Sequence, residues 1–450
     1  MVSFIQFGMT AESAAIEAKF LEAAAWYGPI NEAEALLSVN PWLAKNSIHT
    51  AAILGDYETV TAFLAQDATN ATITAKPFDA NALVYLCFSK YLAYKKRPED
   101  GFLKAATVLL DAGADANSGF QSTGDYPDFE GVLYGAAGVL QNAPLTQLLL
   151  DRGADPNDNE ACYHSPETWE NDAMKAIVNT GKLTANNLSM MLIRKHDFHD
   201  YEGAKFLLEY GANPNLEWRP GFYPIHHALL RGNSLAIIEL LLDHGANPHV
   251  SNGHLTATAH AACQGRADVL QMLRNRGFNL NLHGLTQLIA ACAEDDTGAM
   301  NAILKQQPDL KGQIKPYGGN LLARFAANGN AAGIGHLLDL GLDVNTPFAQ
   351  GDGYWVIPQN SLAIHIAAWR GFPEVVRLLI VRGATVDEPD ANGNTPLMLA
   401  VRACVDSYWT VRRSPDSVKA LLDAGADAGK ISLPTGYDEI DQLLSEPQNK

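Results

Sequence analysis

Residues 390–427 read DANGNTPLMLAVRACVDSYWTVRRSPDSVKALLDAGAD. It opens on a turn, Asp390-Ala391-Asn392-Gly393. Thr395 is placed to cap a helix, its hydroxyl accepting from a backbone N–H that has no partner inside the helix. Pro396 takes the first helical position, where a missing N–H costs nothing and φ is already set. A short apolar helix follows through Leu397, Leu399, Ala400 and Val401. A second helix carries Val418, Leu421 and Leu422 on one face and stops at Gly425, which reaches the left-handed conformation without steric penalty. Two half-covered helices have no core of their own, so the unit predicts neighbours like itself.

The helix-stop pattern recurs as LLDAGADAN (109–117), LLDRGADPN (149–157), LLEYGANPN (207–215), LLDHGANPH (241–249), LLDLGLDVN (337–345) and LLIVRGATVD (378–387), with a weaker copy at MLRNRGFNLN (272–281). The glycines at 113, 153, 211, 245, 277, 341, 383 and 425 are spaced by 40, 58, 34, 32, 64, 42 and 42 residues. Spacings of 34 and 32 are single units, 40 to 42 are units with insertions, and 58 and 64 each hide a degenerate unit. The helix start recurs too: Pro224-Ile225-His226-His227-Ala228, Ile364-His365-Ile366-Ala367-Ala368 and Ile48-His49-Thr50-Ala51-Ala52 keep a histidine where Thr395-Pro396-Leu397 has Met398. A period near 33 with a T-P-L-H-x-A start marks one repeat class. The chain resembles the ankyrin repeat family over nearly its whole length. Its layout, including the segments around YWT (408–410) and GDGYW (351–355), is similar to bacterial ankyrin repeat proteins without an assigned activity.

The resemblance implies an all-α solenoid of helix-turn-helix units joined by β-turns or hairpins, with about twelve repeats once degenerate copies at 161–186 and 284–315 are admitted. Residues 14–46 are expected to form an N-terminal capping repeat, 47–428 the repeats and 429–450 a C-terminal capping helix, in one continuous array.

Composition limits the rest. The chain has 450 residues, 50 acidic against 32 basic, and a net charge of −18, which disfavours nucleic acid or an anionic membrane as partner. Cys87, Cys162, Cys263, Cys292 and Cys404 are scattered singly, which reads as reduced thiols in a reducing compartment. The opening MVSFIQFGMTAESAAIEAKF has no basic n-region or long apolar run, so no signal peptide is expected. No stretch approaches the ~20 apolar residues a bilayer requires. The expected location is the cytoplasm, and the expected state a monomer.

Chemistry-bearing motifs are weak. GADAGK (425–430) is one residue short of a phosphate loop and is followed by Ile431 instead of Ser or Thr. His196-Asp-Phe-His199 is half a metal site with no second ligand cluster in reach, and reads as a solvated turn between two helices. In the resembled family the histidine of the start motif bonds backbone between adjacent repeats, which is the role expected for His49, His226 and His365. No cofactor, metal or catalytic residue is expected.

The family meets partners through turn tips and through the two variable positions after the inner helix's Ala-Ala. Here that pair is Trp26-Tyr27, Ile53-Leu54, Leu230-Arg231, Cys263-Gln264 and Trp369-Arg370. The turns add Trp218, Phe222 and Tyr223, Tyr126 to Phe129, and the long loop around Tyr354-Trp355. Aromatics and arginine are the types enriched at binding hot spots, although aromatics in turns also fold back on their own hairpins. Tyr163 and Trp169, in a degenerate unit, read as gap-fillers. SKYLAYKKRP (89–98) and VDSYWTVRRSP (405–415) are basic insertions, able to cap helix C-termini or to take an acidic peptide or phosphate. The expected partner-binding set is Trp26, Tyr27, Trp218, Phe222, Tyr223, Arg231, Tyr354, Trp355, Trp369, Arg370, Tyr408 and Trp409. The function expected is non-catalytic binding of a protein partner on the concave face. The alternatives are an exported effector engaging a host protein, and an enzyme or metal-binding protein using the inserted loops.

Overall fold

The computed structural model describes residues 11–123, 127–407 and 412–445. Thr395 Oγ1 accepts from the Met398 amide at 3.4 Å, and the helix it caps runs Pro396–Val405. The second helix, Asp416–Asp423, buries Val418 and Leu421, and Gly425 follows at φ +87°.

The chain divides into two compact units, residues 1–224 and 225–450. The first unit is a succession of helix pairs: α1 (Ala11–Ala24) with α2 (Ile30–Val39), α3 (Ile48–Ile53) with α4 (Tyr57–Gln66), and α5 (Ala82–Cys87) with the short α6 (Lys90–Ala93) and α7 (Glu99–Asp111). A two-stranded hairpin follows, β1 (Gly119–Gln121) antiparallel to β2 (Phe129–Gly131) with Phe120 opposite Glu130. Then come α8 (Val132–Tyr134), continued by a π-helical turn, with α9 (Ala143–Asp151); α10 (Asn159–His164) with α11 (Asp172–Val178); and α12 (Ala185–Asp197) with α13 (Tyr201–Glu209). In the second unit α14 (Pro224–Leu230), which begins at the boundary, pairs with α15 (Leu235–Asp243), and α16 (Ala257–Cys263) with α17 (Ala267–Asn275). The next pair is α18 (Leu285–Ala293) with α19 (Thr297–Gln306), followed by α20 (Leu310–Gln313). The series ends with α21 (Gly318–Ala327) and α22 (Ala331–Asp339), α23 (Ala363–Arg370) and α24 (Pro373–Val381), α25 (Pro396–Val405) and α26 (Asp416–Asp423), and lastly α27 (Asp438–Ser445). The degenerate stretches 161–186 and 284–315 therefore hold helices like the others.

First helices stack on first helices, α3 on α5 and α10 on α12 in one unit, α16 on α18 and α21 on α23 on α25 in the other. Ala51, Ala52, Ala261, Ala262, Ala367 and Ala368 are buried in these contacts, where small side chains let helices approach closely. Second helices form the other layer, α4 on α7, α9 on α11 and α24 on α26.

The recurring ending has a physical explanation. In LLDAGADAN the carboxylate of Asp115 accepts from the Asn117 amide at 2.9 Å, closing an Asx turn. The Asn117 side chain then reaches the next turn, donating to Gly153 O at 3.1 Å and accepting from the Asp155 amide at 2.8 Å. Asn157 repeats this with Lys182 O and the Thr184 amide, and Asn345 with Gly383 O and the Thr385 amide. The eight helix-stop glycines all lie at φ between +82° and +102°.

Three of the motif histidines act as expected. Nε2 of His49, His226 and His365 lies 3.0, 3.0 and 2.7 Å from the carbonyl oxygens of Ile73, Val250 and Glu388, each in the following turn. Elsewhere a hydroxyl does the same: Ser189 Oγ donates to Leu216 O and Thr258 Oγ1 to Leu280 O, both at 3.0 Å.

Candidate functional site

The inner-helix face of the second unit is crossed by the loop between α22 and α23. Gly383 to the start of α25 spans 13 residues, whereas Gly341 to the start of α23 spans 22. The surplus residues form a structured turn, with bridges pairing Phe348 with Ser361 and Asp352 with Ile357. Gly351 is required there, since at φ +64° a Cβ would lie 2.8 Å from the Gln359 N and Ile357 O atoms. Val356 also takes a left-handed φ of +56°, an outlier for a β-branched residue.

The loop turns its aromatics inward. Phe348, Trp355 and Ile357 are buried. The Arg370 guanidinium stacks over Trp355 at 3.4 Å from the ring centroid, Arg231 over Tyr354 at 3.9 Å and Arg324 over Phe348 at 5.2 Å. Arg324 also pairs with the Asp352 carboxylate at 3.1 Å. Trp369 Nε1 donates to Trp355 O at 2.7 Å, and Arg402 lies over the Trp369 ring at 4.7 Å. Between the loop and α14, α16, α21 and α23 the cavity of about 10 Å³ has room for no more than about one water molecule. Trp355, Trp369 and Arg370 are 4%, 4% and 2% exposed, against the expectation of an accessible set. The cause is the loop itself: an aromatic whose face is covered by guanidinium and whose carbonyl holds an indole N–H cannot also present that face to solvent.

In the first unit, Trp26 is half-buried at φ +48° and packs against Phe88 and Phe120, whereas its neighbour Tyr27 is 76% exposed. The Trp218 turn folds back on itself, Trp218 N donating to Phe222 O at 3.1 Å, with the rings edge-to-face and Arg219 stacked over Trp218. Phe222 keeps an exposed face and Tyr223 is half-exposed. Tyr126, Tyr408 and Trp409 lie outside the described residues.

Trp169 is no gap-filler. It is 63% exposed, and its Nε1 donates to Phe198 O at 2.9 Å, which fixes the ring. It stands on one wall of a 1220 Å³ groove whose floor is Leu140 to Pro144, with Glu170, Asp172, Lys175 and Glu202 beside it. The other wall is the basic insertion: Lys95, Lys96 and Arg97. Lys96 pairs with Glu34 at 3.0 Å. In the second basic insertion Arg413 donates to Ser407 O, just past the end of α25 at Val405.

The expected solvated turn at His196 is also corrected. Helix α12 continues to Asp197, and Lys195 and His196 are fully buried. The polar residues misled because their charges are matched internally: Lys195 Nζ pairs with Asp200 at 2.9 Å, and Arg194 bridges Glu167 and Asp197. Burial pulls the His164 ring down, but the carboxylates of Glu160 and Glu167 on either side outweigh it and raise its pKa to about 9. Among the described residues, no three His, Cys, Asp or Glu side chains gather to hold a metal ion, and no helix is long and apolar enough to cross a membrane. Burial pushes all five cysteine thiols up, so none is a thiolate nucleophile at neutral pH.

Residues 189–283 and 349–431 match the family described as "Ankyrin repeats (3 copies)". These segments are ankyrin repeats. The helix pairs, the Asx-turn ladders and the histidine ties around them share one architecture. The chain is 27% identical over 180 residues to the human transient receptor potential cation channel subfamily A member 1, a match covering 37% of this chain and 15% of the channel. It is 26% identical over 218 residues to mouse Rabankyrin-5 (45% and 18% covered), and 25% identical over 318 residues to the Neurospora crassa ankyrin repeat protein nuc-2 (68% and 25% covered). The chain thus spans a quarter or less of each of these relatives. Ankyrin repeats generally serve protein–protein interaction.

Proposed function

We propose that this chain is a non-catalytic ankyrin-repeat scaffold that binds a protein partner. The observation that carries the reading is Trp169. A large aromatic held by its own N–H, with its ring left in solvent beside a wide groove, is a preorganised anchor of the type found at binding hot spots. The groove's 1220 Å³ exceeds what one small ligand fills, which favours an extended polypeptide segment. Its walls select mixed charge: acidic side chains against Lys95, Lys96 and Arg97, basic ones against Glu170, Asp172 and Glu202, and an apolar side chain on Trp169. Tyr27, Trp218, Phe222 and Tyr223 are further contact candidates on the same unit. Five cysteines without a disulfide among them support a reducing compartment such as the cytoplasm.

Co-purification from the source cell, followed by binding of the identified partner to Trp169→Ala, Lys95→Glu/Arg97→Glu and Tyr27→Ala variants, tests this. Trp169→Ala should weaken the partner by about 2 kcal/mol with the melting temperature kept. A partner held equally well by all three variants would remove the groove and Tyr27 from the account.

A further inference from the structure

We propose that the inner-helix face of the second unit is itself a recognition groove for a turn bearing aromatic and carboxylate side chains, and that residues 346–361 occupy it in cis. Connecting loops ordinarily run over the surface with their polar groups in water. This one is longer than the fold needs, yet it buries Phe348, Trp355 and Ile357. Its anchors come from helices far apart in sequence: Arg231 from the end of α14, Arg324 from α21 and Arg370 from α23. A guanidinium over an aromatic face is attractive and gains when water is excluded, and the loop makes three such stacks. Asp352 on Arg324 and Trp355 O on the Trp369 indole add one ion pair and one hydrogen bond that fix the loop's register.

The loop is also structured within itself. The two bridges and the Gly351 turn hold it as a small closed body whose ends meet at Phe348 and Ser361. It touches the groove as a ligand does, through side-chain faces, one carboxylate and one carbonyl. An outside partner segment of the same chemistry binds this face only by displacing the loop. The use of the groove by a partner rests on the scaffold reading above, whereas its occupation in cis does not.

The test joins Phe348 directly to Ser361 through an Asn-Gly turn, which suits a two-residue hairpin connection. The removed segment, AQGDGYWVIPQN (349–360), is then supplied as a fluorescently labelled peptide. Saturable binding to the shortened chain, about tenfold weaker to the intact chain and about tenfold weaker for a peptide with Trp355→Ala, is the expected result. A shortened chain that melts cooperatively but does not bind the peptide, or binds a scrambled one equally, overturns the proposal. Should the shortened chain not fold, Asp352→Asn in the intact chain replaces it. Cleavage by chymotrypsin after Trp355 should then quicken about fivefold with the melting temperature kept, because only the loop's ion pair is lost. Unchanged cleavage overturns the proposal. Peptide binding together with a partner indifferent to Trp169→Ala would leave this inference standing without the unit-one groove, and the reverse pattern would leave only that groove.

Discussion

At the scale of single residues, Val356 shows how the loop is shaped. A β-branched side chain at φ +56° costs of order 1–3 kcal/mol, and the surroundings must impose it. Here the Asp352–Ile357 bridge on either side and the Trp355 carbonyl held by Trp369 impose it. Val356→Gly should therefore raise stability slightly or leave it unchanged, by up to about 1 kcal/mol, since the exposed valine side chain loses little packing. A clear fall in melting temperature would show that Val356 is unstrained.

The histidines give a second test at this scale. Burial lowers the pKa of His226, and lowers that of His260 to about 3, with the neighbouring His226 and Arg324 charges adding to the effect. These rings bind fewer protons folded than unfolded, so their contribution is complete above the unfolded value of about 6.5 and is lost as pH falls toward 3. His164 has the opposite sign: its pKa is raised to about 9, so its contribution is complete below about 6.5 and is lost as pH climbs through 9. Melting temperature should fall on both sides of neutrality. His260→Gln should flatten the acid limb, and His164→Gln the alkaline one. A limb unchanged by its own substitution would refute that assignment.

At the scale of elements, glycine serves two purposes that substitution separates. At Gly425 (φ +87°) no atom lies within 4 Å of where an added methyl would sit, so Gly425→Ala meets only the backbone penalty, about 1 kcal/mol. At Gly55 (φ +67°) the same methyl would lie 2.6 Å from the Phe102 ring. Gly55→Ala therefore adds overpacking and should cost about 2–4 kcal/mol in denaturant unfolding. Equal costs at the two positions would contradict the distinction. The helix-stop glycines were legible because their cause is local: a helix end and a left-handed residue lie within a few positions of each other. Thr395 and Pro396 were legible for the same reason, whereas the histidine ties, which reach 23 to 24 residues along the chain, were legible only through the family resemblance. The buried Lys195–Asp200 pair was not, because a charged HDFHD string reads as solvent-facing unless its internal partners are known. Nor was the burial of Trp355, Trp369 and Arg370. Their spacing places two of them at an inner-helix end, but whether that end is open depends on where a distant loop settles.

At the scale of the whole molecule, each compact unit presents its own surface. The first has Trp169 on a groove walled by a basic insertion, and the second has an arginine-lined face already covered. Both insertions depart from the repeat, and both build what the repeat alone would lack. Disrupting the buried network of the first unit should be felt throughout that unit. Asp200→Ala leaves Lys195 buried without its carboxylate and should cost about 3–5 kcal/mol, whereas Lys195→Met with Asp200→Leu should cost much less. A single substitution no worse than the double would show that the pair is solvated.

The covering of the second unit's inner face is most directly tested by amide hydrogen exchange on the intact, unliganded chain. The Phe348, Asp352 and Ile357 amides, bonded to Ser361 O, Ile357 O and Asp352 O at 2.9, 2.8 and 2.9 Å, should exchange at rates like those of the α23 helix. Exchange of these three amides at the rate of an unstructured peptide, while α23 remains protected, would contradict the account.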